Sequence, residues 1–247
     1  MRSFFSLEKM QNFQGKFDFF RRKSPDNSKD INGLPVDGQG VDRRWTNTYL
    51  MDKLIKNYHD DALLSFRNYK KMAERAIEQV NDEEFFTAID AEANSIAVVV
   101  KHIAGNLHSR WRDFLTTDGE KPDRNRDTEF EMIGDTRDSL MKFWETGWQT
   151  LFDNIEPLTE EDFAKTINIR GEPHTIIEAI NRQLTHYSYH IGQIVLLAKH
   201  FKSSEWKTLS VPRNKSAEFN KYLAERQATG EAKSNRFEAP AEFSETK

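Results

Sequence analysis

The sequence predicts an all-α protein: a four-helix bundle with a long crossover between its third and fourth helices and a short C-terminal helix. Three observations carry this expectation. Four long segments repeat apolar residues at spacings of three and four, the pattern of one buried helical face. No segment alternates long enough to make a sizeable strand, and amphipathic helices without a sheet bury their faces against one another. The 247 residues allow one large domain or two small ones, and one core with tails is the reading adopted.

Residues 1–43 show no sustained period: Phe13, Phe17, Phe19 and Phe20 precede Arg21-Arg-Lys-Ser-Pro25 and a Gly-, Asp- and Asn-rich run to Gly40. A flexible extension is expected there, the other readings being an arm that docks its phenylalanines on a partner, or a leader upstream of a start at Met51. The bundle is expected over 44–226 and a disordered tail over 227–247. Ile55, Tyr58, Ala62, Phe66, Tyr69, Ala73, Ala76 and Val80 mark the first helix. The second begins at Asn94-Ser95, residues suited to an N-cap, runs through Ile96, Val99, Ile103, Leu107 and Phe114, and ends by Gly119.

Residues 118–127 are dense in charge and turn formers, so they must be solvated or folded over polar partners. Met141, Trp144, Trp148, Leu151 and Ile155 form the third helix, which stops before Pro157. Thr166–Arg170 alternates like a very short strand, and Gly171-Glu-Pro173 reads as the turn after it. The fourth helix spans about Thr175 to Lys199, with Ile180, Leu184, Tyr187, Ile191, Ile194 and Ala198 as its seam, and a short helix follows from Ser216 to Glu225. The connection of roughly twenty residues between the third and fourth helices exceeds the usual helix–helix link, so it should cross the bundle or cover a site.

Function is concentrated in histidines. His186 and His190 are four residues apart on the fourth helix, where side chains at that spacing lie roughly 5–6 Å apart on one face, close enough for two ring nitrogens to share one ion at about 2.0–2.1 Å. His102, on the second helix, has a comparable offset from its own apolar seam and is the third candidate. Gly105 and Asn106 lie one turn further along that side: Gly105 leaves room for a close neighbour, and Asn106 can orient a bound group. His108 points elsewhere on its helix, His200 lies at a helix end, and His174 is expected to open the fourth helix. His59 is the best substitute ligand should His102 be misplaced.

Composition narrows the remaining classes. A net charge of −4 with intermixed signs argues against a nucleic-acid or anionic-membrane surface. Zero cysteines exclude disulfides, thiolate metal ligands and a cysteine nucleophile. No apolar run is long enough to span a membrane, and charges break the N-terminal apolar character too early for a signal peptide. A cytoplasmic location is expected.

Asn94-Ser-Ile96, Lys101-His-Ile-Ala-Gly-Asn-Leu-His-Ser-Arg-Trp111, Asp118-Gly-Glu-Lys-Pro122 and Arg182-Gln-Leu-Thr-His-Tyr-Ser-Tyr-His-Ile-Gly-Gln193, in that order, resemble the DinB superfamily. These are the DNA-damage-inducible four-helix metalloproteins that include the YfiT-like proteins, here in an uncharacterised branch. The resemblance covers about Trp45 to Tyr222 and says nothing of the segment before it. It implies a stress-response setting and a metal held by His102, His186 and His190. Three neutral ligands leave at least one coordination position open, as in catalytic sites, and imidazoles suit zinc, nickel, iron and copper alike, with zinc and nickel preferred and iron next.

An open position serves hydrolysis, through a bound water, or a thiol that attacks an electrophile. The relatives resembled include thiol-dependent S-transferases, so the expected partners are a small-molecule thiol and an electrophilic substrate. A hydrolase would want a carboxylate base; Glu178 is too far along its helix, and Glu131 or Glu172 would have to reach in from loops. Asn106, Arg110 and Arg170 are the substrate-binding candidates, with Arg124 and Arg126 as further anion clamps. A third reading is a non-catalytic metal-binding module that acts as a homodimer.

Overall fold

The apolar period that starts at Ile55 belongs to helix α1, Arg43–Ile77, in a computed structural model of the protein that describes residues 43–229. Expectations for residues 1–42 and 230–247 lie outside the described residues. The chain divides into two compact units, Met1–Met51 and Asp52–Lys247. Of the first, the described part is the opening of α1, where Tyr49, Leu50 and Met51 are exposed. Everything below concerns the second.

Helix α1 stops at Ile77, a turn short of the expected Val80. Arg137 explains where it stops: its guanidinium donates to the carbonyls of Ile77 at 2.7 Å and Val80 at 2.8 Å, satisfying acceptors that a helix end leaves open. A short helix, α2, Asp82–Phe86, follows behind a capping box of Asn81 and Glu84. The sequence reading did not anticipate it. Helix α3, Ile96–Trp111, starts at Ser95, whose hydroxyl accepts from the Val98 N–H. Every residue of α3 except Lys101 and His108 is buried. The single apolar seam expected for it is therefore too narrow, because α3 is covered on all sides. It packs on helix α4, Arg137–Ile155, and on helix α5, Ile176–Lys202, as well as on a 3-10 turn at Asp127–Phe130.

Each of the four long helices sends one ring into a common cluster. Phe66 of α1 meets Trp111 of α3 at 6.2 Å, Trp148 of α4 at 6.5 Å and Tyr187 of α5 at 5.9 Å between ring centroids, all edge-on. All four rings are fully buried, and full burial of side chains of this kind is worth roughly 1.5–3 kcal/mol each. The described residues are thus mostly helical, with one small sheet.

That sheet is a hairpin of β1, Thr166–Ile169, and β2, Glu172–Thr175, paired antiparallel. A strand over Thr166–Arg170 and a turn at Gly171-Glu-Pro173 are expected from the sequence; the strand ends at Ile169, the turn falls earlier, and the partner strand was not anticipated. The turn is Arg170-Gly171, with φ of 57° and 76°, the left-handed pair that a two-residue hairpin loop needs, so Pro173 lies in β2 and not in the turn. His174 correspondingly belongs to β2, and α5 begins at Ile176, directly after its N-cap Thr175, which forms a capping box with Glu178. The charged segment 118–127 folds over this hairpin: the Asp118 carboxylate accepts from the N–H groups of Arg170 at 2.8 Å and Gly171 at 2.7 Å. Helix α6, Ser216–Ala228, closes the described chain. No helix among the described residues is long and apolar enough to cross a membrane.

Candidate metal centre

Helices α3 and α5 bring His102, His186 and His190 together. One nitrogen from each ring lies within 4.8 Å of the others, and the three form the one such group of potential metal ligands among the described residues. His102 is buried, 5 % exposed, while His186 and His190 are half-buried. The Nε2 atoms of His102 and His186 are 3.2 Å apart; two imidazoles on one tetrahedral ion at 2.0–2.1 Å would stand about 3.3 Å apart. The cluster is thus already near the spacing that a metal ion requires, and it can hold one.

The far sides of two rings are fixed by acceptors. His102 Nδ1 donates to Glu129 Oε2 at 2.8 Å, and His190 Nδ1 donates to Gln193 Oε1 at 2.8 Å. Each bond selects the tautomer that turns Nε2 toward the cluster. Glu129, on the 3-10 turn, is itself held by Arg124, whose Nε and Nη2 donate to it at 2.7 and 3.0 Å. Burial pushes the Glu129 carboxyl up, but the bonds to His102 and Arg124 outweigh it and hold the group below the usual carboxylate range. It is therefore an ionised acceptor.

Burial, then the neighbouring His190, His102, Arg110 and Arg124, pushes the His186 imidazole down to about 3. His190 is lowered as well, by burial against the opposing pull of its bond to Gln193. Both rings are therefore neutral at physiological pH, the form that ligates metals.

Gly105 explains how Glu129 gets so close. A Cβ at position 105 would lie 2.8 Å from Glu129 Cδ and overlap its Oε1; only a glycine lets the carboxylate lie against α3 one turn beyond His102.

The cluster opens on a cavity of about 450 Å³, the size of a small-molecule site. Asn106, Arg110 and Arg170, the three residues expected to contact a substrate, all line it, as do Arg124 and Arg126. Asn106 Oδ1 accepts from the Tyr187 hydroxyl at 3.0 Å, and that hydroxyl accepts from Trp111 Nε1 at 3.1 Å, so Asn106 is tied to the aromatic cluster at the centre of the fold.

Residues 53–215 match the model of a family described as a protein of unknown function, DUF1572. The chain belongs to that family. No curated protein matches it.

In this DUF1572 chain the other histidines stay out of the centre. His59, the expected substitute ligand, is placed elsewhere: its Nε2 pairs with the Ile155 carbonyl at 2.8 Å and its ring packs on Phe163, because α1 faces the end of α4 at that level. His108 stacks on Phe143 with centroids 4.7 Å apart, and His174 Nδ1 pairs with the Glu172 carbonyl. The three carboxylates weighed as bases do not line the cavity: Glu178 is engaged in its capping box, and Glu131 and Glu172 are exposed. Four residues that do matter escaped the sequence reading. Gln183 and Gln193 lie one turn from His186 and His190, and Arg182 sits four residues before His186, spacings that place them on the histidine face. Glu129 had only the hint of Gly105.

Proposed function

We propose that the protein is a DinB-type four-helix bundle whose His102, His186 and His190 hold a divalent transition metal, zinc or nickel, and that it transfers the sulfur of a small thiol onto an electrophilic small molecule. The observation that carries this reading is the composition of the cavity: three imidazoles converge at one end, and no carboxylate appears among its lining residues. A bound dication would supply a Lewis acid there, lowering the pKa of a thiol from its ordinary value of about 8.5. Hydrolysis through a bound water would be better served by a carboxylate base, and Glu129 is committed to His102 and Arg124.

In this reading the chain's residues have separate tasks. Glu129 and Gln193 fix two of the rings. Phe130, 5.3 Å from the His102 ring, shields the cluster on the side of the 3-10 turn. The thiol gives up its S–H proton to solvent, a sulfur–carbon bond forms, and the bond from that carbon to its leaving group breaks with the electron pair. The nucleophile arrives with the cosubstrate, in keeping with a chain that has no cysteine. We also propose a cytoplasmic homodimer.

The test uses cobalt-substituted protein. Adding a small thiol is expected to produce a sulfur-to-metal charge-transfer absorption, with a pH midpoint below about 8.5. If thiols leave the spectrum unchanged and esters or amides turn over without them, the protein is a hydrolase. A large gain in melting temperature with metal, and no turnover of either kind, would make it a binding module.

A further inference from the structure

Five guanidinium groups, those of Arg110, Arg124, Arg126, Arg170 and Arg182, line the cavity beside the histidines. Two carboxylates lie behind this wall. Glu129 takes up Arg124, and Glu120 Oε2 is shared by Arg124 Nη1 at 3.3 Å, Arg170 Nε at 3.4 Å and Arg110 Nη2 at 3.8 Å. With Asp118, whose carboxylate also interacts with Arg110, three negative charges still do not balance five positive ones, so the cavity keeps an excess of positive charge before any metal is added.

Arg110 concentrates this excess. It is 4 % exposed, and its Nε and Nη1 have no acceptor. A buried donor without a partner is costly, more so when it is charged. Gln183 on α5, which also lines the cavity, is 1 % exposed and its Oε1 also lacks a partner. Two buried polar side chains of the cavity lining, each with an atom that has no partner, mark the place of a polar ligand group.

We propose that the cavity receives a carboxylate-bearing small molecule, with the carboxylate on Arg110 and a neighbouring polar group on Gln183. A guanidinium presents two parallel N–H donors that match a carboxylate. Arg110 lies eight residues beyond His102 on α3, roughly 12 Å along the helix axis, and helical side chains lean back toward the N-terminus. The ligand's reacting atom and its carboxylate are therefore separated by a few bonds rather than adjacent. This assignment rests on the reading of the cavity as a substrate site. It does not depend on the thiol chemistry, and the carboxylate belongs to either the thiol or the electrophile.

Calorimetry with matched probes tests it. On zinc-loaded protein, 3-mercaptopropionate is compared with 3-mercapto-1-propanol, and succinate is titrated into metal-free protein. Carriage by the thiol gives 3-mercaptopropionate an advantage of about tenfold, which Arg110→Gln removes, a size typical of a charge-assisted bidentate pair. Carriage by the electrophile gives no preference between the thiols but succinate binding that Arg110→Gln abolishes. If neither the thiol preference nor succinate binding depends on Arg110, the proposal is overturned. Should Arg110→Gln not fold, the Arg110 Nε–H resonance of the wild-type protein decides: succinate, or 3-mercaptopropionate on zinc-loaded protein, shifts it, or the proposal fails. Succinate has no thiol, so Arg110-dependent binding of succinate together with a silent cobalt spectrum would sink the transferase reading alone.

Discussion

Glu129 Oε2 and His102 Nδ1 are 2.8 Å apart, and both side chains are almost fully buried. This pair ties the long charged loop to the histidine cluster. The loop delivers the carboxylate, α3 delivers the imidazole, and Arg124 locks the carboxylate in place from the loop's own side. A ring that donates Nδ1–H to a carboxylate is oriented and more basic at Nε2. The segment 118–130 is therefore part of the site and not a surface link.

Glu129→Gln should lower metal affinity by about 10–100-fold, the usual effect of losing such a partner. It also leaves Arg124 facing a neutral group. Breaking a buried ion pair costs roughly 3–5 kcal/mol, softened here because Glu120 remains 3.3 Å from Arg124. Competition titration against a chromophoric chelator, on protein shown to be folded by circular dichroism, isolates the first effect. Unchanged affinity would mean that Glu129 serves folding alone.

Gly105→Ala disturbs the same carboxylate from the side of α3. Alanine is the better helix former by about 1 kcal/mol, which favours the fold. Its Cβ would meet the Glu129 carboxylate, which can retreat only by breaking its bonds to His102 and Arg124. Because the loss of a buried ion pair, roughly 3–5 kcal/mol, exceeds the gain in helix propensity, the expected protein melts at a lower temperature than the wild type without metal and also binds metal less tightly. Equal metal affinity in the two proteins would show that the carboxylate relaxes without cost.

The apolar periods made the four long helices legible, and the helical spacing of His186 and His190 placed two rings on one face. His102 could be paired with them because its offset from the α3 seam was comparable. Irregular backbone hid the rest. Glu129 reaches His102 from a 3-10 turn that has no period, and β2 was obscured by Pro173 and by a turn whose left-handed residues are Arg170 and Gly171. Helix α3 misled in another way: full burial gives no polar face from which to read an orientation. Arg182 and Gln183 carried a usable signal, their spacing from His186, that composition alone does not reveal.

Asp118 should hold the rim of the cavity. Its buried surroundings push its carboxyl up, and the N–H groups of Glu120, Gly171 and Arg170 outweigh that and leave it below the usual range. Asp118→Ala removes the acceptor for both residues of the Arg170-Gly171 turn. With a net worth of about 0.5–1.5 kcal/mol per hydrogen bond, amide exchange at these two positions should quicken by about tenfold while α4 is unaffected. Exchange that stays slow would show that strand pairing alone fixes the turn and Arg170 with it.

The histidines predict a direction for pH. His186 has a folded-state pKa of about 3, against about 6.5 in an unfolded chain. Between these values the unfolded state binds the proton and the folded state does not, so the stability of the metal-free protein rises with pH across this window. It is lost as pH falls from about 6.5 toward 3, and His190, lowered for the same reason of burial, adds to the slope. The melting temperature of metal-free protein should therefore drop between about pH 7 and pH 5, and His186→Ala should flatten that drop. Within the folded protein protons compete weakly for His186 and His190, so metal should be held until the fold gives way. Metal release well above the unfolding transition, or a slope that His186→Ala leaves intact, would place the titrating group elsewhere.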